Sequence, residues 1–355
     1  MSLSLCMIVK NEADVLGRAL SDASVYADEI IIVDTGSTDG TKDVAREFTD
    51  KIYDFEWRDD FAAARNFAFS KATGDYCMWL DADDVVPITS ARAIARLMKH
   101  IGDADVVMLP YVISEDGPRS YSYYRERIVR NRPDYLFVGR VHEAIALSGN
   151  VVYKSVPVYH RKPSRKSDST RNLDIYKRML AENAAFSPRD RYYYARELYF
   201  NDETVAAARE LERFIVEPDG FYVNKIDACL ILSRCYRKNG DRQAAYLALF
   251  DSFLFGLPTG EVACEIALMY FADEKYALAA YWFERAATAK PDVKSGAFVD
   301  TEYYAFFPLV WLSVCYDKLG KTRTAYRYHC RARKLRPDHP SVIANDRYFQ
   351  SLGYL

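Results

Sequence analysis

Three acids stand within one four-residue run, Asp81-Ala82-Asp83-Asp84, directly after the apolar segment Tyr76–Leu80 (YCMWL). Carboxylates at i and i+2 leaving a strand offer oxygen ligands to a hard cation, Mg²⁺ or Mn²⁺, without caging it completely. Asp103-Ala104-Asp105 has the same spacing but precedes the apolar run VVMLPYV. In open parallel sheets ligands bind beyond the C-terminal ends of strands. Position therefore selects Asp81 and Asp83 as candidate metal or diphosphate residues and passes over Asp103 and Asp105. The competing reading of the run is an acidic loop that caps the next helix.

Other candidates share that edge. Asp34-Thr35-Gly36-Ser37-Thr38-Asp39-Gly40-Thr41 follows the buried run EIIIV, so Asp34 at the strand end is placed to accept hydrogen bonds from a base or ribose. The turn is neither G-x-x-x-x-G-K-[ST] nor G-x-G-x-x-G, and a plain strand-to-helix turn explains its residues equally well. Arg65-Asn66 lies on a helix ahead of the acidic strand; a guanidinium entering that cleft needs a carboxylate or phosphate partner. His142-Glu143 supplies a carboxylate suited to general-base work, with His142 read as a packed or a catalytic histidine. His160 ends an apparent strand at 155–159 as a further metal-ligand candidate, followed by Arg161, Lys162, Arg165 and Lys166. That basic cluster is read as a solvated linker before a diphosphate site.

The elements that must position these residues change rhythm halfway along the chain. The first half alternates apolar runs (3–9, 29–33, 76–80, 105–112) and a shorter segment at 51–55 with helical stretches (15–20, 42–48, 61–71). This spacing predicts an α/β domain with a doubly wound, mostly parallel sheet over residues 1–165. Residues 166–355 read as all-α. There Tyr199, Tyr236, Tyr270 and Tyr316 are each followed nine residues later by Ala208, Ala245, Ala279 and Ala325, with Gly240 and Gly320 in turns. Small residues at fixed offsets let paired helices approach and stack as tetratricopeptide-like repeats, with an insertion near 294–307.

Composition excludes several classes. Of 355 residues 50% are hydrophobic and 28% charged, and 48 basic against 50 acidic residues leave a net charge of -2. That balance is globular and lacks the basic excess of a nucleic-acid binder. Every apolar run is far shorter than the roughly 18–20 residues a spanning helix needs, and no signal peptide is visible at the start. Seven scattered Cys, with no C-x-x-C, predict reduced thiols in a cytoplasmic protein.

Taken in order, the segments SLCMIVKNE (4–12), DTGSTDGT, ARN, LDADD and VHE closely resemble the nucleotide-sugar-dependent glycosyltransferases of family two. More narrowly they resemble the bacterial subgroup that joins a GT-A domain to tetratricopeptide-like repeats and modifies peptides or proteins. The resemblance implies an inverting transfer from a nucleotide-sugar, a UDP-sugar first among donors. It implies that Val9, Asn11, Glu12, Asp34, Arg65 and Asp81 hold the nucleotide-sugar, and that Asp83, Asp81 and His160 hold Mn²⁺ or Mg²⁺. Glu143, with His142, takes the catalytic role, and the concave face of the repeats suits an extended peptide or protein acceptor. The alternatives are a repeat scaffold with an inactive domain, transfer to a polysaccharide or lipid-linked acceptor, or a nucleotidyltransferase; the oligomeric state stays open.

Overall fold

The computed structural model describes residues 1–114, 120–161 and 170–354. It divides into two compact units, Met1–Ala185 and Phe186–Leu355. The expected Lys162, Arg165 and Lys166 of the basic cluster lie outside the described residues. Among the described residues no helix is long and apolar enough to cross a membrane.

The strands of the first unit are β1 (Leu3–Val9), β2 (Glu29–Asp34), β3 (Ile52–Asp54), β4 (Tyr76–Leu80), β5 (Asp84–Val85), β6 (Val106–Ser114), β7 (Ser120–Arg130), β8 (Phe137–Val138), β9 (Ala144–Ile145), β10 (Val151–Tyr153) and β11 (Val158–His160). The main sheet runs β3-β2-β1-β4-β7-β6-β11-β5, with β10 also on β6, while β8 and β9 form a separate hairpin. β1 pairs in parallel with β2 and β4, as does β2 with β3 and β6 with β10 and β11. The apolar runs fit this centre because residues buried on both faces need no polar alternation. One face of β1 (Leu3, Leu5, Met7) packs with α1 (Leu16–Leu20), α2 (Thr41–Arg46) and α4 (Ile88–Lys99). The other face, with Cys6 and Trp79, packs with α3 (Phe61–Phe69) and the β8–β9 hairpin.

The sheet departs from parallel pairing at β7, which runs antiparallel to both β4 and β6. Its sequence, SYSYYRERIVR, gives no apolar run, so the sequence reading passes over it. The first unit also takes in α5 (Arg171–Ala181), a helix that the sequence reading groups with the repeats.

The second unit is a row of paired helices: α6 (Pro188–Phe200) with α7 (Thr204–Val216), α8 (Tyr222–Lys238) with α9 (Arg242–Asp251), α10 (Gly260–Ala272) with α11 (Tyr276–Thr288), α12 (Phe306–Lys318) with α13 (Thr322–Leu335), then α14 (Pro340–Ser351). Each pair turns through one left-handed residue: Asp202 (φ 69), Gly240 (φ 87), Glu274 (φ 58) and Gly320 (φ 71). Behind each, an amide five residues on bonds back to the carbonyl of Leu198, Tyr236, Tyr270 or Tyr316, the 6→1 closure of a helix C-terminus. This pattern corrects the register of the first pair. Leu198 and Ala207, not Tyr199 and Ala208, are equivalent to Tyr236 and Ala245. Ala207, Ala245, Ala279 and Ala325 are all fully buried where their helices meet. The insertion between α11 and α12 is tied to Glu261, which accepts from Asp300 N at 3.0 Å and from the Tyr304 hydroxyl at 2.7 Å.

Candidate active site

Because β2, β1 and β4 are parallel neighbours, their C-terminal ends form one rim. Val9 lies opposite Asp34, and Met7 opposite Leu80. At about 4.8 Å per strand, Asp34 and Asp81 emerge roughly 10 Å apart on that rim. Asp34 is 1% exposed. Its Oδ1 accepts from the amides of Gly36 and Ser37, both at 2.9 Å, while Oδ2 is buried with no partner. Gly36, at φ +100, makes the tight turn possible. The loop after β1 is knitted to this turn. Asn11 N donates to Ser37 Oγ at 2.9 Å, Thr38 N donates to Asn11 Oδ1 at 2.8 Å, and Glu12 N donates to Thr41 Oγ1 at 2.8 Å. Thr35 N donates to the Val9 carbonyl at 2.9 Å.

The acids after β4 meet three different partners. Asp81 accepts from Arg65 Nη2 at 2.6 Å. Burial pushes the Asp81 carboxyl up, but the charges of Arg65 and Arg127 outweigh it and hold it at about 2. Asp84 is fully buried, paired with Arg127 Nη1 at 2.9 Å and accepting from the Tyr111 hydroxyl at 2.7 Å. Asp83 alone of the three has no arginine within ion-pair distance among the described residues. It faces His160 Nδ1 at 3.5 Å, with Asp84 Oδ1 3.6 Å from the same nitrogen. The antiparallel pairing of β5 and β11 creates this meeting by setting His160 opposite Asp84. Arg161 N adds a bond to the Asp83 carbonyl at 2.8 Å.

Ligand-capable atoms of Asp83, Asp84 and His160 lie within 4.8 Å of one another. Two carboxylates and an imidazole fit Mn²⁺ or Mg²⁺ chemically. Of the residues expected on the metal, Asp83 and His160 come together; the third residue of the group is Asp84, and Asp81 is committed to Arg65. Burial works against a charged His160, but the facing carboxylates dominate and raise its pKa to about 9.

Glu143 sits beside the β8–β9 hairpin and accepts from Arg65 Nε at 2.5 Å. The expected Arg65, Asp81 and Glu143 are thus joined directly. His142 precedes Glu143 in a left-handed conformation, φ 52. Asn66 anchors the hairpin, its amide giving 2.9 Å to the Phe137 carbonyl and taking 2.8 Å from the Phe137 N–H. Asp103 and Asp105, by contrast, hold the loop at 150 near the start of β6.

Arg127 is the residue that sequence reasoning misses. Val107 faces Ile128 and Met108 faces Glu126, so Arg127 is the extra residue of a β-bulge, a device that re-aims side chains. Its guanidinium lies 4.0 Å from the Trp79 ring and 4.4 Å from the Tyr111 ring. The one sequence signal is Arg-Glu-Arg inside a tyrosine-rich stretch.

Residues 4–160 match the family model for glycosyl transferase family 2. The matched stretch lies within the first unit, Met1–Ala185. Several known proteins are similar to this chain. A TPR repeat-containing protein of Synechococcus elongatus is 38% identical over 144 residues, 40% of this chain and 35% of the relative. The SPbeta prophage-derived glycosyltransferase SunS of Bacillus subtilis is 29% identical over 242 residues, 64% of this chain and 56% of the relative. The chain therefore spans from about a third to just over half of these relatives' lengths. Among solved structures, S. aureus TarS superposes with a TM-score of 0.42 at 15% identity, over 69% of this chain and 55% of that one.

Proposed function

We propose that the protein is an inverting glycosyltransferase that moves a sugar from a nucleotide-sugar, a UDP-sugar first among donors, to a hydroxyl or thiol of a peptide or protein. The observation that carries this reading is the shared rim: a buried, half-satisfied Asp34 at the end of β2 and Asp83 just past the end of β4, the two strands that flank β1, with His160 of β11 facing Asp83. Asp34 Oδ2 is the free acceptor for an N–H or O–H of the nucleoside, with Val9, Asn11 and Glu12 shaping the adjoining loop. Asp83 and His160, with Asp84 behind them, are the residues to hold a divalent cation, which when bound offsets the negative charge growing on the departing diphosphate. Glu143 takes the acceptor proton as the acceptor atom bonds to C1 of the sugar. The C1–O bond to the diphosphate breaks and its electrons leave on that oxygen. Attack opposite the leaving group inverts C1. The helical unit, a stack of paired helices, is the surface we assign to an extended peptide acceptor.

The test is a panel of nucleotide-sugars incubated with Mn²⁺ or Mg²⁺, with products separated. Released nucleoside diphosphate supports glycosyl transfer, and released pyrophosphate would make the protein a nucleotidyltransferase. No metal-dependent binding of any donor would leave a repeat scaffold with an inactive domain.

A further inference from the structure

We propose that Arg65 is a positioning residue that ties the acceptor-side carboxylate Glu143 to the donor-side carboxylate Asp81; the inference rests on the glycosyl-transfer reading above. One guanidinium spans both, Nε to Glu143 at 2.5 Å and Nη2 to Asp81 at 2.6 Å. The residues are far apart in sequence, 78 positions for the first bond and 16 for the second. Two carboxylates brought together repel, so without the cation between them they separate or one takes up a proton.

The surroundings hold the guanidinium still. It lies 4.6 Å from the Trp79 ring and 5.4 Å from the Phe137 ring. Trp79 is itself fixed, donating its indole N–H to the Glu126 carbonyl at 2.6 Å, and it carries Arg125 at 4.8 Å and Arg127 at 4.0 Å. Arg65 is 6% exposed, and Nη1, the nitrogen without an acceptor, is buried too. Its other two nitrogens, Nε and Nη2, are already taken by Glu143 and Asp81. Burial disfavours the charge, yet Asp81 and Glu143 more than restore it, so the group stays a cation. The neighbouring Asn66 pins Phe137 in both directions, so two consecutive side chains of α3 fix the hairpin that carries Glu143.

The sequence alone groups Arg65 with the nucleotide. The geometry points to a different role, which is to keep the base registered on the acidic loop. A displacement of about 1 Å at a reacting centre costs ~10²-fold in rate. Lysine keeps the charge but cannot bridge two carboxylates with a planar fork.

The experiment uses the full chain, with UDP plus Mn²⁺ as the binding probe and the best UDP-sugar of the panel as donor. Arg65→Lys should keep UDP affinity and donor KM within about threefold while kcat for transfer falls ~100-fold. Loss of UDP affinity of about tenfold or more with kcat retained overturns the proposal and makes Arg65 a donor ligand. A second arm needs no donor. Melting of Arg65→Gln, Glu143→Gln and the double variant should be non-additive, Glu143→Gln costing less once Arg65 is gone. Strict additivity overturns the clamp. Should the wild-type protein neither bind UDP nor consume a donor, the functional reading fails while the melting arm still decides this one.

Discussion

Arg127 and Asp84 form an ion pair of 2.9 Å with both side chains at 0% exposure. Asp84 also accepts from the Tyr111 hydroxyl and from the Asp81 amide, so its oxygens are well supplied. Arg127 Nε and Nη2, by contrast, have no partner and lie against the Trp79 and Tyr111 rings. Removing one member of such a pair leaves an uncompensated buried charge, at a cost of about 3–5 kcal/mol. Arg127→Met is therefore expected to destabilise the first unit by that amount in urea melts, and Asp84→Asn added to Arg127→Met should recover part of it. A single Arg127→Met change within about 0.5 kcal/mol of wild type would contradict the assignment.

Asp83 is the acid of the run whose removal should separate chemistry from folding. Its side chain is 24% exposed and its partner is His160 at 3.5 Å, with no arginine among the described residues to orphan. Asp83→Ala is expected to change stability by no more than about 1 kcal/mol while abolishing Mn²⁺-dependent UDP binding and sugar transfer. Asp81→Ala should instead weaken the fold as well, because Arg65 is left buried with an unanswered edge. Calorimetric titration of both variants with UDP and Mn²⁺, beside their melting curves, checks the contrast; equal behaviour of the two would sink it.

The legible part of this fold is the part where composition and position say the same thing. β1, β2 and β4 read as strands because burial on both faces leaves them almost purely apolar, and their C-terminal ends locate Asp34 and Asp81. β7 is illegible for the opposite reason: its buried members include Glu126 and Arg127, residue types that read as surface. The split of the acidic run is equally hidden, since the bulge that delivers Arg127 to Asp84 is a property of pairing register. In the repeats, a tyrosine-to-alanine spacing of nine misleads by one residue at the first pair. Leu198 occupies the tyrosine position there, and only the hydrogen bonds of the turns show it.

Acid should expose a carboxylate linkage at Glu29. This side chain gathers β1, β3 and the turn before β4, accepting from Ser4 Oγ, from Lys51 Nζ at 2.5 Å and from Thr73 N at 2.5 Å. Burial pushes its carboxyl up, but the bonds from Lys51, Ser4 and Thr73 outweigh that and hold it at about 2. The folded value lies below the unfolded value of about 4.3. The stabilisation is therefore complete above about pH 5 and is lost as the pH falls through about 2. Its size is on the order of 2 kcal/mol. Glu29→Gln should lower stability by that much at pH 7 and flatten the loss between pH 5 and pH 2. An unchanged acid limb in that variant argues the linkage lies elsewhere.

The repeat turns permit a test of backbone strain without a steric clash. Gly240 stands at φ +87 and a Cβ added there meets nothing within 4 Å, and the same holds for Gly320 at φ +71. Any penalty on substitution must then come from the left-handed backbone itself, about 1–2 kcal/mol for an L-residue. Gly240→Ala is expected near 1 kcal/mol, because alanine also narrows the unfolded ensemble, and Gly240→Val should cost more, because a branched Cβ tolerates this region less well. Asp202 and Glu274 already bear that strain at the equivalent turns. Glu274→Gly should accordingly be neutral or mildly stabilising, even though it replaces a helix-compatible residue with glycine. Urea melts of the three variants give the ranking; a Glu274→Gly loss as large as that of Gly240→Val would show that the four turns do not share one conformational demand.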